Sequence, residues 1–241
     1  EAAGIPPVVF AAYLAAETNA HTVAEACVVD WPVIAGIWKI ESGHATYGDA
    51  TADPTGDVTP KIYGPTLDGT VLGTEIISDT DDGVLDEDSV WDRAVGPAQF
   101  LPASWRAYGQ DGNGDGTADP HNVYDAALTT AAYLCMRTPG DYRQPDDLAR
   151  AVRGYNASLE YVAAVVDWIG YYRAFAHTAG TITADGQYAF PLPAGSVTLT
   201  QIRATHHDYP ASDMAVPEGT PVYAAHPGTV TNLYTPCPGC T

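Results

Sequence analysis

Apolar and polar positions change rhythm once along the chain, near Gly180. Before it, from Val8 to His177, apolar residues recur mostly at helical spacing; after it they fall into short β-branched or aromatic pieces divided by glycine and proline. The pattern predicts helices over residues 8–19, 32–43, 102–108, 125–137, 146–155 and 158–177. In the last of these, Val162, Val165, Val166, Ile169 and Tyr172 line one core-facing side. Asp30 stands close to the cap of the second helix, with Pro32 in its first turn. Between Gly43 and Gly96 runs a long excursion rich in glycine, aspartate, threonine and proline, the kind of irregular insert that walls a binding cleft. The organisation expected is a mainly α domain over residues 1–180 and a small all-β region over 181–241.

Composition supports a packed globular chain. Of 241 residues, 46% are hydrophobic and only 17% charged, enough for a sizeable core. The formal net charge of -20 repels phosphate backbones and anionic lipid headgroups, which argues against nucleic acid and membrane surfaces as partners and tolerates an uncharged polymer. No apolar run reaches the ~18–20 residues of a membrane span. Because the sequence starts at Glu1 rather than methionine, removal of a signal peptide or anchor is expected. Four cysteines, Cys27, Cys135, Cys237 and Cys240, allow three pairings; the simplest joins Cys27 to Cys135 and Cys237 to Cys240. Reduced thiols in a cytosolic protein are the competing reading. The Cys-Pro-Gly-Cys tail lacks the second cysteine pair of a zinc ribbon and the strand-helix context of a redox motif.

The most informative segment is Val33-Ile-Ala-Gly-Ile-Trp-Lys-Ile-Glu41-Ser-Gly. On a helical period Glu41 shares a face with Ile34, Ile37 and Trp38, so its carboxyl leaves from the apolar stripe. Desolvation there raises a carboxyl pKa, the requirement for a general acid near neutral pH. A helix-terminal glutamate tied to Lys39 or to a backbone amide is the bland alternative. Further on stand Trp91-Asp-Arg-Ala-Val-Gly-Pro-Ala-Gln-Phe-Leu-Pro-Ala-Ser-Trp105, then Asp111-Gly-Asn-Gly-Asp-Gly-Thr-Ala-Asp119, then Gly154-Tyr-Asn-Ala-Ser158.

Taken in this order, the Ile-x-x-x-Glu-Ser helix end, Gly-Pro-x-Gln-Phe-x-Pro-x-Ser-Trp, Asp-Gly-x-x-Asp-Pro and Tyr-Asn-x-Ser resemble the lytic murein transglycosylases with lysozyme-like folds. The resemblance covers about residues 8–177 and is to the membrane-bound type B group, glycoside hydrolase family 103, and its actinobacterial relatives. It implies a lysozyme-like α domain in which Glu41 is the catalytic acid. Gln99 would line the cleft, and Tyr155 with Asn156 would face the scissile bond. Ser42, Asp92, Gly96 and Phe100 complete the substrate-binding set that it implies. In that family one glutamate protonates the oxygen between N-acetylmuramic acid and N-acetylglucosamine. It then serves as base while the muramyl 6-hydroxyl closes on C1, so no second carboxylate and no cofactor is required. The acidic stretch from Asp79 to Asp86, with Glu87, Asp88 and Asp92, is a departure; a carboxylate from it placed across the cleft would permit a hydrolytic muramidase instead. A solvated loop, or one that binds sugar or a cation, is the alternative reading of the same stretch.

Two metal sites are suggested. Asp111, Asn113, Asp115, Gly116, Thr117 and Asp119 fall in the order of a calcium loop, but its twelfth position is Asn122 in place of the usual glutamate. In the tail, the run from Thr205 to Val230 resembles the start of a lysostaphin-type (LytM, M23) zinc peptidase domain, with His207 and Asp213 at its first two ligands and His206 as an alternative. The later His-x-His of that family is missing before Thr241, so this part is expected to be incomplete and without peptidase activity. The expected partner is the glycan strand of peptidoglycan, met by a monomer at the cell wall or outside the cell. A wall-binding module that grips glycan without cutting it is the non-enzymatic alternative.

Overall fold

The computed structural model describes residues 3–24, 27–71, 73–178, 204–205 and 212–213. The chain divides into two units, Glu1–Arg173 and Ala174–Thr241. The first contains helices α1 (Pro7–Val23), α2 (Trp31–Ser42), α3 (Pro102–Tyr108), α4 (Val123–Arg137) and α5 (Pro145–Tyr155), and α6 (Leu159–Thr178) begins in it. Described strands of the second are β5 (Ala204–Thr205) and β6 (Ser212–Asp213), an antiparallel pair. The remainder of the expected all-β region, including His206, His207, Cys237 and Cys240, lies outside the described residues.

At the centre is α2, and its burial goes beyond a stripe. Trp31 through Trp38 are all buried, and the helix opens outward at Lys39, Ile40 and Glu41. A helix apolar all round must be enclosed, and the surrounding helices enclose it. Gly36 permits the nearest approach: a β-carbon there would stand 2.5 Å from Ile169 Cγ1 of α6. On another side α1 packs against α4, with Val9, Ala12, Tyr13, Ala16 and Ala20 of α1 and the small Ala126, Ala127, Ala131 and Ala132 of α4 all buried. Each fully buried valine or isoleucine in this core contributes about 1.5–3 kcal/mol. A disulfide joins Cys27, between α1 and α2, to Cys135 of α4, closing 108 residues of chain.

Asp30 has a different task from helix capping. Its carboxylate takes two hydrogen bonds from Arg173, at 2.7 and 2.8 Å, and the first amide of α2, that of Trp31, donates instead to Glu17 Oε2 at 3.0 Å. The long insert is also more ordered than the sequence pattern suggests. It carries strands β1 (Thr51–Ala52), β2 (Val58–Thr59) and β3 (Tyr63–Thr66), and β4 (Arg93–Val95) closes it. Two antiparallel pairs result, β1 with β2 and β3 with β4. Among the described residues no helix is long and apolar enough to cross a membrane.

Candidate active site

Helix α2 ends in the geometry its last residues dictate. Gly43 turns into the left-handed region at φ 62°, and the His44 amide returns to Trp38 O at 3.1 Å, closing the last turn. This leaves Glu41 part-buried at the edge of the core, beside the fully enclosed Ile37 and Trp38. Burial pushes its carboxyl up to about 7, against a countervailing hydrogen bond from Tyr161. The Tyr161 hydroxyl donates to Glu41 Oε1 at 2.5 Å. Lys39, one of the two partners offered by the alternative reading of Glu41, lies over the Trp168 ring, 5.0 Å from its centre.

Tyr155 belongs to the same neighbourhood. The negative charge of Glu41 is among the causes, after burial, that raise the phenols of Tyr155 and Tyr161, so all three side chains interact. Tyr155 donates to Ala98 O at 2.7 Å, and its ring packs edge-on to Tyr133 and tilted against Phe100. Two phenols and a carboxyl therefore meet where α2, the end of α5 and the start of α6 converge.

The turn at residues 96–99 is held against this group by a second hydroxyl besides that of Tyr155. Ser42 Oγ donates to Pro97 O at 2.7 Å and accepts the Ala45 amide at 3.0 Å. Gly96, at φ 72°, passes so near the chain at Pro120 that a β-carbon would lie 1.9 Å from its carbonyl oxygen. Gln99 sits at φ 54°, unusual for a residue with a side chain, and its amide donates back to Gly96 O at 2.8 Å.

Several residues expected to meet substrate are thus occupied inside the protein. Ser42 is buried and doubly bonded, and Asp92 is buried with its carboxylate accepting the Thr80 amide and hydroxyl. Gly96 serves a backbone approach, and Phe100 is buried among Trp105, Tyr133 and Tyr155. Asn156 lies on the surface, its side chain accepting the Ser158 amide at 3.0 Å. Tyr161 was not among the expected residues. It continues the Val165, Ile169 and Tyr172 face one turn toward the N-terminus of α6, which is the signal that reveals it. Also unanticipated is a buried chain in which His44 takes hydrogen bonds with Tyr13 at Nδ1, 2.9 Å, and with Tyr172 at Nε2, 2.7 Å. Burial first, then Lys39, lowers the His44 pKa to about 3, so the ring is neutral.

The loop from Asp111 to Asp119 is ordered by its own carboxylates. Asp111 accepts the amides of Gly114, Asp115 and Gly116, Asp115 accepts that of Thr117, and Asn113 accepts that of Asp115. Asp119 accepts the His121 amide, and buried Asp125 gathers the amides of Gly112, Asn113 and Asp119. Asn122, at the twelfth position, caps α4 through the Tyr124 amide and bonds Thr55 and Asp57. Its side chain is therefore committed elsewhere, and Asp111, Asp115 and Asp119 are not among the described groups of three carboxylates that lie within 4.8 Å of one another. Of the tail zinc pair, only Asp213 is described, in β6.

The same turns bear on the acidic stretch. Asp79, Asp81, Asp86 and Asp88 all accept amides of the insert itself, while Glu87 accepts the Tyr63 hydroxyl at 3.0 Å.

No curated protein matches the chain. A solved structure of the Escherichia coli lytic transglycosylase Slt35 in complex with bulgecin A is similar at 18% identity, covering 72% of this chain and 76% of that one, with a TM-score of 0.41. Residues 75–154 match the family described as Transglycosylase SLT domain. That segment contains Gln99 and the Asp111–Asp119 loop, and it stops one residue before Tyr155. Over these residues, though not over Glu41 and Tyr161, the chain is similar to the SLT transglycosylases.

Proposed function

We propose that the protein is a peptidoglycan lytic transglycosylase in which Glu41 is the general acid and base. The observation that carries this reading is the placement of that carboxyl: it is part-buried beside Ile37 and Trp38, which pushes it up to about 7, and it is hydrogen-bonded by Tyr161. A group with a pKa near the working pH is well suited both to release a proton and to take one back. The family match over residues 75–154 supplies the reaction class.

In the proposed reaction the Glu41 proton passes to the oxygen joining C1 of N-acetylmuramic acid to C4 of N-acetylglucosamine, and the C1–O bond breaks. The muramyl 6-hydroxyl then bonds to C1, its proton returns to Glu41, and a 1,6-anhydro end results without water. Tyr161 would hold the carboxylate while it is charged, since its hydrogen bond favours that form. A second carboxylate is required for ordinary hydrolysis, either retaining or inverting. A lysozyme-like arrangement of the α domain and a place in the cell wall or outside the cell complete the proposal. The Cys27–Cys135 disulfide agrees with an oxidising compartment.

The test is digestion of purified peptidoglycan with product masses read at the cut ends. Anhydro ends are expected from the wild-type chain, and Glu41→Gln should lower turnover at least about 100-fold while glycan binding persists. Hydrated ends would transfer the chain to the hydrolytic muramidases, and full activity in Glu41→Gln would remove Glu41 from the chemistry.

A further inference from the structure

We propose that the turn from Asp79 to Asp86 is a calcium site built on carboxylate oxygens of Asp79, Asp81 and Asp86. This turn caps a hairpin of the insert. Asp79 N donates to Val90 O and Asp92 N to Ile77 O, both at 3.0 Å, so the two arms are paired below it. Above them the chain wraps tightly, with Asp82 at φ 59° and Gly83 at φ 70°.

Each of the three carboxylates is oriented by amides of the protein. Asp79 accepts those of Asp81, Asp82 and Gly83; Asp81 accepts that of Leu85 through Oδ2; Asp86 accepts those of Asp88 and Arg93. So held, each brings one oxygen within 4.8 Å of the others. Two oxygens bound to one Ca2+ at about 2.4 Å lie no more than about 4.8 Å apart, so a single ion can bridge the set.

The independent sign of a missing positive partner is Asp81. It is 8% exposed, and its Oδ1 is buried without a hydrogen-bond partner among the described residues. An unfilled carboxylate oxygen out of water is strongly unfavourable. Asp86 is fully buried, and the charges of Asp86, Asp79 and Asp92 add to burial in raising the Asp81 pKa. Protein cations do not resolve this. Arg106 acts at a distance on Asp79, and the ion pairs among the described residues, Arg143–Asp141, Arg150–Asp147 and Arg173–Asp30, lie elsewhere. An all-oxygen, carboxylate-rich set on an irregular turn selects a hard cation with flexible coordination, which is Ca2+ rather than a transition metal. Through Asp86 Oδ2, bonded to the Arg93 amide at 2.7 Å, the ion would brace β4, the strand leading to Gly96.

Calorimetric titration of Ca2+ into the chelator-treated, full-length chain tests the site. Saturable binding is expected, retained in Asp111→Asn/Asp115→Asn and weakened at least about tenfold in Asp81→Asn. Circular dichroism checks that Asp81→Asn is folded; if it is not, Asp79→Asn, at a less enclosed position, serves in its place with the same expectation. The proposal is overturned if the wild-type chain takes up no Ca2+. It is equally overturned if binding survives the Asp81 or Asp79 change undiminished, or disappears with the Asp111/Asp115 pair.

Discussion

The bundle that surrounds α2 and the insert between Gly43 and Gly96 are stabilised by opposite means. Around α2 the order comes from enclosure: Val33, Ile34, Ile37 and Trp38 are fully buried against α1, α4 and α6. In the insert it comes from aspartates folded back on nearby amides, as at Asp53, Asp68, Asp79 and Asp88. Enclosure is cooperative, because each side chain fills space that its neighbours define. An aspartate turn is local, because it orders the few residues within reach of one carboxylate. The difference predicts unlike responses to damage.

The largest response should follow from filling the contact between α2 and α6. Gly36→Leu forces a side chain into Ile169 and should cost about 3 kcal/mol, read as a lower midpoint of a single thermal transition for the first unit. A broad, two-step melt would show that the bundle is not the cooperative body described. Asp92→Ala in the insert should cost less, about 1–3 kcal/mol, since it strands the Thr80 amide. Hydrogen exchange should accelerate near residues 79–92 while α2 and α4 stay protected. Loss of protection in the helices as well would erase the contrast between the two regions.

The smallest change concerns the junction of the two. Tyr161→Phe removes the hydrogen bond that holds the Glu41 pKa down, so the alkaline limb of activity should move to higher pH as turnover falls. The same carboxyl marks stability. Its folded pKa of about 7 lies above the ordinary value of 4.5, so the folded state holds the proton more tightly than the unfolded chain. Wild-type stability should therefore fall as pH rises from 4.5 to 7 by an amount that Glu41→Gln abolishes, measured by denaturant unfolding across that range. Parallel pH profiles for the two proteins would show that Glu41 is not desolvated.

The helices were legible because burial writes a period into the sequence. The expected helix over residues 102–108 coincides with α3, and α4 and α5 begin within two residues of expectation. Glu41 was legible for the same reason, as a charge on an apolar face. Tyr161 lies on the same helical face as Val165, Ile169 and Tyr172, where one phenol among core residues is indistinguishable from packing. What the sequence concealed was mostly non-periodic. Asp92 and Asp125 are fastened to amides 12 and 13 positions away, and no spacing rule announces such bonds. The chain from Tyr13 through His44 to Tyr172 joins residues far apart in sequence, and only the packed fold brings them together. The fold encloses Ser42 and Phe100, whose motifs the resemblance places at the substrate.

Ser42 has a consequence for the timing of organisation. Its hydroxyl spans 55 residues to fasten the end of α2 to the turn that carries Gln99. Because that fastening forms as the chain folds, in the proposed reaction the spacing between Glu41 and the Gln99 turn would be set before a glycan binds. Less conformational freedom is then left to be lost when one binds.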